Sequence, residues 1–367
     1  MYTEKDLVAI AKRENNTKRA YLVVNRLQGK HIPVSGSTAF SVFDELAESL
    51  RSAYSNEKLL LVGFAETATA IGARLAVDLQ CSYMQTTREQ IDNVDYLFFT
   101  ESHSHATEQK LIKTDLDKII ENIDRIVFAE DEVTTGNTIM KIIDIISEFY
   151  GSRVKFGVAS LLNGMDEEHL ASYEKRSIDV HYLVKTNHGT YTEIADSFKG
   201  DGEYFEKDTE PAEYNITEID GAVNARRLVN GKDYAAACEQ LFNEINSKSR
   251  LHNSENLLVL GTEEFMYPAL YVASRFEALG INTLCHSTTR SPIVTSREDN
   301  YPLQKRFELA SLYDDERRTF IYNLKKYDNV IIVTDAVNES DAGINSLVNA
   351  LHKEGNNSIE IYRWCSK

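Results

Sequence analysis

Two adjacent acids and a threonine–glycine turn form the segment whose residue types and spacing point most clearly to chemistry. The run IVFAEDEVTTGNT (residues 126–138) places Glu130 and Asp131 after an apolar stretch and a turn, residues 134–138, before a helical pattern. Hydroxyls and backbone N–H groups around a helix N-terminus suit a phosphate, and Gly136 permits the tight backbone. The acids lie about one sugar length away and can accept hydrogen bonds from vicinal hydroxyls. The segment therefore predicts a site that binds both the phosphate and the sugar hydroxyls of a sugar phosphate.

Strand and helix patterns on both sides must position this segment. Residues 125–129 (RIVFA) and 154–162 (VKFGVASLL) are typical of buried strands, and residues 137–150 (NTIMKIIDIISEFY) of an amphipathic helix. Earlier, residues 59–62 (LLLV) predict another strand that Gly63 ends. Strands that alternate with helices indicate an α/β fold around a parallel sheet, which places ligands at the carboxyl ends of its strands.

An internal repeat extends the same plan to the second half of the chain. Three blocks recur in order: 58–67 with 256–265, 86–88 with 288–290, and 125–138 with 329–342. The second copy keeps an acid, Asp335, but has Thr334 instead of the first acid and Asn338-Glu339-Ser340 instead of the threonine–glycine turn. A carboxylate at position 339 repels a dianionic ligand. We therefore expect two Rossmann-like α/β halves, the second a degenerate copy.

The chain's 367 residues also favour two domains. Residues 196–221 are polar, acidic and weakly periodic, which is typical of a linker. The predicted domains are therefore residues 1–215 and residues 216–367, with a helix at about 232–247 near the start of the second.

Composition limits the classes of partner. The formal net charge of −17 and the pI of about 5.0 disfavour unspecific binding to nucleic acid, but a local phosphate site remains compatible with them. We expect no membrane segment, because no apolar run approaches the roughly 18 residues that a spanning helix needs. The N-terminus lacks a signal-peptide core, and four scattered cysteines favour reduced thiols. These features predict a cytoplasmic protein.

The segment 126–138 resembles the signature of the type I phosphoribosyltransferases: an apolar strand, two acids, two variable positions and Thr-Thr-Gly. The resemblance implies that both halves adopt that family's fold and that the substrate is phosphoribosyl diphosphate with Mg²⁺, bound mainly through substrate oxygens rather than by protein ligands. Glu130 and Asp131 would contact the ribose hydroxyls. The 5′-phosphate loop would comprise Val133, Thr134, Thr135, Gly136, Asn137 and Thr138, and the pyrophosphate loop Gly63, Phe64, Ala65, Glu66 and Thr67.

Other candidate residues keep two interpretations each. Glu66 could assist magnesium or substrate, or cap a helix; the second glycine that the family often has in this turn is absent. Arg88 resembles the arginine that contacts pyrophosphate in orotate-type members of the family. Its alternative role is that of a solvated surface residue. His103 and His105 lie at the position of the family's flexible catalytic loop. They could close over bound substrate, or they could be solvated loop residues. Lys30 and His31 could form a hood over a nucleobase-like acceptor, or belong to an edge strand.

The second half contains HSTTRSPI (residues 286–293), in which Thr289, Arg290, Ser291 and Pro292 resemble the signature of the TRSP domain. That domain follows a phosphoribosyltransferase domain in tellurite-resistance (Ter) stress-response operons. The N-terminal half is similar to the matching transferase through GFAETATAIG, HSHATE and EDEVTTGNT. This resemblance implies synthesis of a nucleoside-like metabolite, by a homodimer or a complex of pathway enzymes. Arg290 could recognise an anion or be structural. A non-catalytic sensor of the same ligand and a scaffold are the alternative functions.

Overall fold

The computed structural model describes residues 1–14, 19–99, 109–251 and 256–366. The strands are β1 Val8–Lys12, β2 Tyr21–Asn25, β3 Leu59–Gly63, β4 Ser82–Gln85, β5 Tyr96–Phe99, β6 Gln109–Ile112, β7 Arg125–Val133, β8 Lys155–Asn163, β9 Asp179–Lys185, β10 Glu203–Phe205, β11 Ile216–Asp220, β12 Val229–Asn230, β13 Asn256–Gly261, β14 Asn282–Ser287, β15 Lys305–Ala310, β16 Arg318–Tyr322, β17 Asn329–Thr334 and β18 Ile359–Cys365. The α-helices are α1 Glu4–Leu7, α2 Gly36–Ala53, α3 Thr69–Leu79, α4 Lys113–Ile119, α5 Asn137–Tyr150, α6 Glu167–Lys175, α7 Tyr191–Ser197, α8 Gly231–Lys248, α9 Tyr267–Ala278 and α10 Ala342–Lys353. Short 3₁₀ turns span Ile120–Asn122 and His188–Thr190.

The chain divides into two compact units that do not follow chain order. The first unit comprises residues 1–4, 40–187 and 223–236, and the second comprises residues 5–39, 188–222 and 237–367. The stretch 196–221, expected to be a linker, contributes β10 and β11 to sheets of the second unit. The domain boundary at 215 stays a prediction.

The first unit is built on a sheet of order β12-β4-β3-β7-β8-β9, in which only the short β12 is antiparallel to its neighbour. Along the chain, β3 leads through α3 to β4 on one side, whereas β7 leads through α5 to β8 on the other. Because parallel crossovers are right-handed, these connections place α3 and α5 on opposite faces of the sheet. The direction of winding thus switches between β3 and β7, and such a switch point is where open α/β sheets bind ligands.

Close packing fixes the two helices that flank this switch point. A Cβ atom on Gly72 of α3 would lie 2.8 Å from the Cα atom of Gly63 on β3, so two glycines allow helix and strand to touch. Helix α5 buries isoleucines at helical spacing, namely Ile139, Ile142, Ile143 and Ile146. The predicted bounds of α5 are confirmed.

Strand β7 is longer than the sequence pattern predicted. The apolar run ends at Ala129, yet the strand continues to Val133, because β8 pairs alongside it as far as Asn163. The acid pair therefore lies within β7, ahead of its last two residues. Pairing with a neighbouring strand, which the apolar pattern does not report, accounts for the extension.

The second unit contains an all-parallel sheet of order β11-β18-β17-β13-β14. Here β13 leads through α9 to β14 and β17 leads through α10 to β18, the same sequence of connections as in the first unit. A separate sheet, β10-β15-β16, packs its Phe307 and Leu309 into the same apolar core as Leu258 and Ile332. The α/β class with parallel-rich sheets is confirmed. That the second unit is a degenerate copy stays a prediction.

Two further expectations concern the chain's surroundings. Within the described residues, no helix has both the length and the apolar character needed to cross a bilayer. All four cysteines, Cys81, Cys238, Cys285 and Cys365, are free thiols.

Candidate functional site

The acid pair and the turn after β3 lie side by side at the switch point of the first sheet. Gly63 at the end of β3 pairs with Ala129 of β7, and the amide of Phe64 donates to the Ala129 carbonyl at 3.1 Å. The sheet thus brings together two sequence-predicted segments that are more than 60 residues apart, 63–67 and 130–131.

Asp131 is bound to the turn opposite it. The Thr67 hydroxyl donates a hydrogen bond to Asp131 Oδ1 at 2.9 Å. Although the residue is half-buried as a whole, burial of its carboxyl group raises the pKa of Asp131 to about 6, and the nearby Glu132 charge acts in the same direction. The hydrogen bond from Thr67 opposes this rise in pKa. A carboxylate with a raised pKa at a switch point is a good candidate for ligand binding.

Glu130 belongs to the opposite face of the sheet. Successive side chains on a strand alternate between faces, so Glu130 projects away from the side on which Thr67 meets Asp131. Burial raises the pKa of Tyr173 on α6 well above its usual value, and the charge of Glu130 contributes to that rise. The side chains of Glu130 and Asp131 therefore project from opposite faces of the sheet at β7.

The predicted phosphate turn has a conformation that requires glycine. Gly136 has a φ of 72°, and a Cβ atom there would lie 2.5 Å from both Met165 Cε and the Tyr173 hydroxyl oxygen. Tyr173 donates its hydroxyl hydrogen to the Gly136 carbonyl at 2.6 Å, so α6 holds the start of α5 from outside. Val133 is buried, whereas Thr134, Thr135 and Thr138 are half-buried and Asn137 is exposed. The turn thus keeps its polar groups near water on a fixed backbone.

The turn of residues 63–67 is held by the segment after β4. The Ala65 amide donates to the Thr86 hydroxyl at 2.8 Å, and that hydroxyl donates to Gln109 Oε1 at 2.8 Å. The Thr86 amide in turn donates to the Gly63 carbonyl at 2.9 Å. Phe64, Ala65 and Glu66 are buried, and the Ala65–Glu66 peptide is cis. Hydrogen bonds to its backbone and burial of its side chains therefore hold the turn in place.

The remaining predicted residues fall in different places. Arg88 is half-buried, two residues beyond the Thr86 anchor. His103 and His105 lie outside the described residues. Lys30 and His31 belong to the second compact unit; Lys30 is fully buried and donates to the backbone carbonyls of Glu263 and Thr288, both at 2.9 Å.

Sequence reasoning missed two groups near the first-unit site. Tyr173, described above, is one of them. The other is Lys185 at the end of β9, whose ammonium donates to Asn163 Oδ1 at 2.9 Å and to the Met165 carbonyl. Burial lowers the pKa of Lys185. Neither residue belongs to a local motif. Lys185 is the last residue of β9, a strand that was not predicted from the sequence.

Family models match both parts of the chain. One, described as a phosphoribosyl transferase, matches residues 7–189. A second, described as the TRSP domain C-terminal to that transferase, matches residues 227–351. The chain belongs to the phosphoribosyltransferases that carry a C-terminal TRSP domain. It is therefore an enzyme of the pentosyltransferase class. The family assignment confirms the resemblance drawn from the acid–threonine–glycine signature and from Thr289 to Pro292.

Solved phosphoribosyltransferases have a low similarity to this one. Adenine phosphoribosyltransferase from Rhodothermus marinus is 15% identical over 50% of this chain and 96% of its own, with a TM-score of 0.36. The adenine enzyme from Giardia lamblia, complexed with 9-deazaadenine, is 14% identical over 51% and 100%, with a TM-score of 0.35. Hypoxanthine phosphoribosyltransferase from Staphylococcus aureus is 16% identical over 42% and 75%, with a TM-score of 0.27. None of the curated proteins matches the chain.

Proposed function

We propose that the first unit transfers the phosphoribosyl group of phosphoribosyl diphosphate to a nitrogen of a nucleobase-like acceptor, with release of pyrophosphate. The hydrogen bond from Thr67 to Asp131 carries this proposal, because it joins the proposed diphosphate turn to the proposed ribose acids at a distance of 2.9 Å. A single sugar diphosphate can contact both segments at once at a switch point.

Each segment has one part of the substrate to hold. The turn of residues 133–138 surrounds the 5′-phosphate at the N-terminus of α5, where amides and hydroxyls favour an anion. Asp131, on the face that carries Thr67, accepts hydrogen bonds from the ribose hydroxyls, and Glu130 is the second proposed ribose acid, although its side chain projects from the other face of β7. The turn of residues 63–67 contacts the diphosphate through its backbone, and Arg88 adds a planar, permanently charged donor.

The reaction breaks the bond between C1 of the ribose and the diphosphate oxygen, and the pyrophosphate leaves with the electron pair. A bond forms between C1 and the acceptor nitrogen, which gives up its proton to solvent or to a base. Arg88 stabilises the charge that develops on the leaving group. The loop histidines His103 and His105 are the proposed closing loop.

Magnesium is the proposed cofactor. Mg²⁺ prefers oxygen ligands and keeps several waters, so the diphosphate would supply most of its ligands. The donor set fits, since the buried Glu66 in the turn adds a carboxylate to the oxygens of the substrate. When bound, the ion would neutralise charge on the diphosphate.

The biological setting is inferred from the TRSP domain. We propose that the enzyme works in the cytoplasm, in a tellurite-resistance or stress-response pathway that makes a nucleoside-like metabolite. A homodimer or a complex with other pathway enzymes is the proposed assembly.

Phosphorus NMR tests the proposal directly. The protein is mixed with phosphoribosyl diphosphate, magnesium and a panel of nucleobase-like acceptors. We expect pyrophosphate to appear only with an acceptor, and the folded Asp131→Asn variant to bind the donor about 1–3 kcal/mol more weakly. Binding without turnover for any acceptor would instead support a sensor. Unchanged donor affinity in Asp131→Asn would exclude Asp131 from the site.

A further inference from the structure

The β13–α9 turn of the second unit, residues 261–266, is held in the same way as the β3–α3 turn of the first. In both, an amide of the turn donates to a threonine hydroxyl, and that threonine's own amide donates back to the glycine at the strand end. In the first unit, the Ala65 amide donates to Thr86 Oγ1 at 2.8 Å, and the Thr86 amide donates to the Gly63 carbonyl at 2.9 Å. In the second unit, the Glu263 amide donates to Thr288 Oγ1 at 3.0 Å, and the Thr288 amide donates to the Gly261 carbonyl at 3.2 Å. The two turns thus share two backbone anchors, although the Ala65–Glu66 peptide is cis and Glu263 has a φ of 48°.

The side chains in the two turns differ at one decisive position. Where the first unit has Ala65, the second has Glu263, whose side chain is 1% exposed. Its carboxylate accepts three hydrogen bonds: Ser311 Oγ at 2.5 Å, Arg290 Nε at 2.9 Å and Arg317 Nη1 at 3.0 Å. Two guanidinium groups and a hydroxyl around one buried anion are the donors that a phosphate site uses.

A second buried acid, Glu264, belongs to this cluster. Glu264 is also 1% exposed, and its Oε1 accepts from Arg290 Nη2 at 2.9 Å. Two buried carboxylates therefore face two guanidinium groups, which offsets part of the cost of removing these charges from water. The arginine of the TRSP signature bridges both acids. Arg317 Nη2 also pairs with the more exposed Asp314 Oδ2 at 3.3 Å.

We propose that the β13–α9 turn is a binding loop for an oxyanion of the phosphate class, and that the chain itself occupies it with the Glu263 carboxylate. Arg290, Arg317 and Ser311 are the donors of this loop. Arg290 is thus already paired with an internal anion, and the TRSP unit does not compete with the first unit for phosphoribosyl diphosphate. The proposal depends on the proposed function only for the comparison between the two turns.

Removal of the internal anion tests the proposal. Glu263→Ala removes the internal carboxylate from between both guanidinium groups and the Ser311 hydroxyl, and inorganic phosphate is the anion offered in its place. We expect tens of millimolar phosphate, compared with chloride at equal ionic strength, to raise the melting temperature of Glu263→Ala by several degrees more than that of the wild type. The double variant Glu263→Ala/Arg290→Ala should lose this extra rise.

Glu264→Ala is the matched control, since it removes a neighbouring acid but keeps the Glu263 carboxylate among its donors. It should gain no phosphate effect beyond that of the wild type. Phosphate binding in the first unit contributes equally to all these variants, so failure of the proposed transferase would leave the comparison unchanged.

Two results overturn the proposal: no extra rise in folded Glu263→Ala, or an extra rise that persists without Arg290. If Glu263→Ala does not fold in chloride, it is refolded in phosphate and followed by circular dichroism and gel filtration. Recovery in phosphate that Arg290→Ala abolishes supports the proposal, and failure to recover in phosphate overturns it.

Discussion

The Thr67 hydroxyl donates a hydrogen bond to the Asp131 carboxylate across the switch point of the first sheet, at 2.9 Å. The two residues are 64 positions apart in the sequence. This bond stabilises the charged form of Asp131, whereas burial and the charge of Glu132 destabilise it. The balance sets the protonation state of the proposed ribose acid near neutral pH.

Donor binding should weaken as the pH falls through 6. The ribose hydroxyls donate to a charged carboxylate, and the pKa of Asp131 is about 6 in the free protein. Between pH 7 and pH 5 the charged fraction falls about tenfold, so the affinity for phosphoribosyl diphosphate should fall by a similar factor. Calorimetric titrations at several pH values measure this effect. Asp131→Asn is the control, because it removes the titration of Asp131 and keeps that of the ligand and of the other site residues. An equal pH slope in both proteins would contradict the prediction.

Asp131→Asn should also make the ligand-free protein more stable above pH 6. The folded-state pKa of Asp131 is raised above its unfolded value, so this group favours folding at low pH, and that contribution is lost as the pH rises from about 4 to about 6. The neutral side-chain amide in the Asp131→Asn variant does not ionise, so folding does not bury a charge there. Thermal melts at pH 5 and pH 8 should show a gain in melting temperature for the variant that is larger at pH 8. A loss at pH 8 would mean that Asp131 is a structural residue.

Removal of the Thr67 hydroxyl should shift the pH dependence of binding towards alkaline values. The hydrogen bond from Thr67 lowers the pKa of Asp131, so Thr67→Val should raise that pKa and require a higher pH for the same affinity. Thr67→Ser keeps a donor and should behave like the wild type. The midpoint of affinity against pH reports the shift, and identical midpoints in the two variants would contradict it.

Gly136→Ala should destabilise the protein by about 2–5 kcal/mol, combining a left-handed backbone with steric overlap. A Cβ atom at Gly136 would lie 2.5 Å from Met165 Cε and from the Tyr173 hydroxyl oxygen. The matched control is Gly280→Ala, because Gly280 has a φ of 87° but nothing within 4 Å of an added Cβ. It should cost only about 1 kcal/mol. Urea unfolding of both variants compares the two costs; equal losses would show that the packing around Gly136 tolerates a methyl group.

Tyr173→Phe should loosen the proposed phosphate turn. The variant loses the 2.6 Å hydrogen bond to the Gly136 carbonyl, at a cost of about 1 kcal/mol in free energy of unfolding. Since the turn contacts the donor in both ground and transition states, the KM for phosphoribosyl diphosphate should rise while kcat changes little. Tyr182→Phe on the exposed part of β9 is the control. A fall in kcat without a change in KM would assign Tyr173 a different role.

The sequence alone determined the local elements and the signature that they carry. The apolar run of residues 125–129, the isoleucines of α5 and the glycine at 136 act within a few positions of one another, and short-range periodicity and turn chemistry report such interactions directly. The predicted α/β class, and the order of strand, acids, turn and helix, follow from that local information. The actual end of β7 does not, because a neighbouring strand determines it.

Only the tertiary structure decided which distant residues meet. Tyr173 contacts Gly136 over 37 positions, and Lys30 bonds to the Glu263 carbonyl over 233. Arg290, which the sequence left open between an anion binder and a structural residue, is paired with Glu263 and Glu264. These contacts depend on how helices and strands pack against each other. A local sequence pattern indicates which residues favour burial or a charged partner. It does not indicate which distant residue becomes that partner in the packed structure.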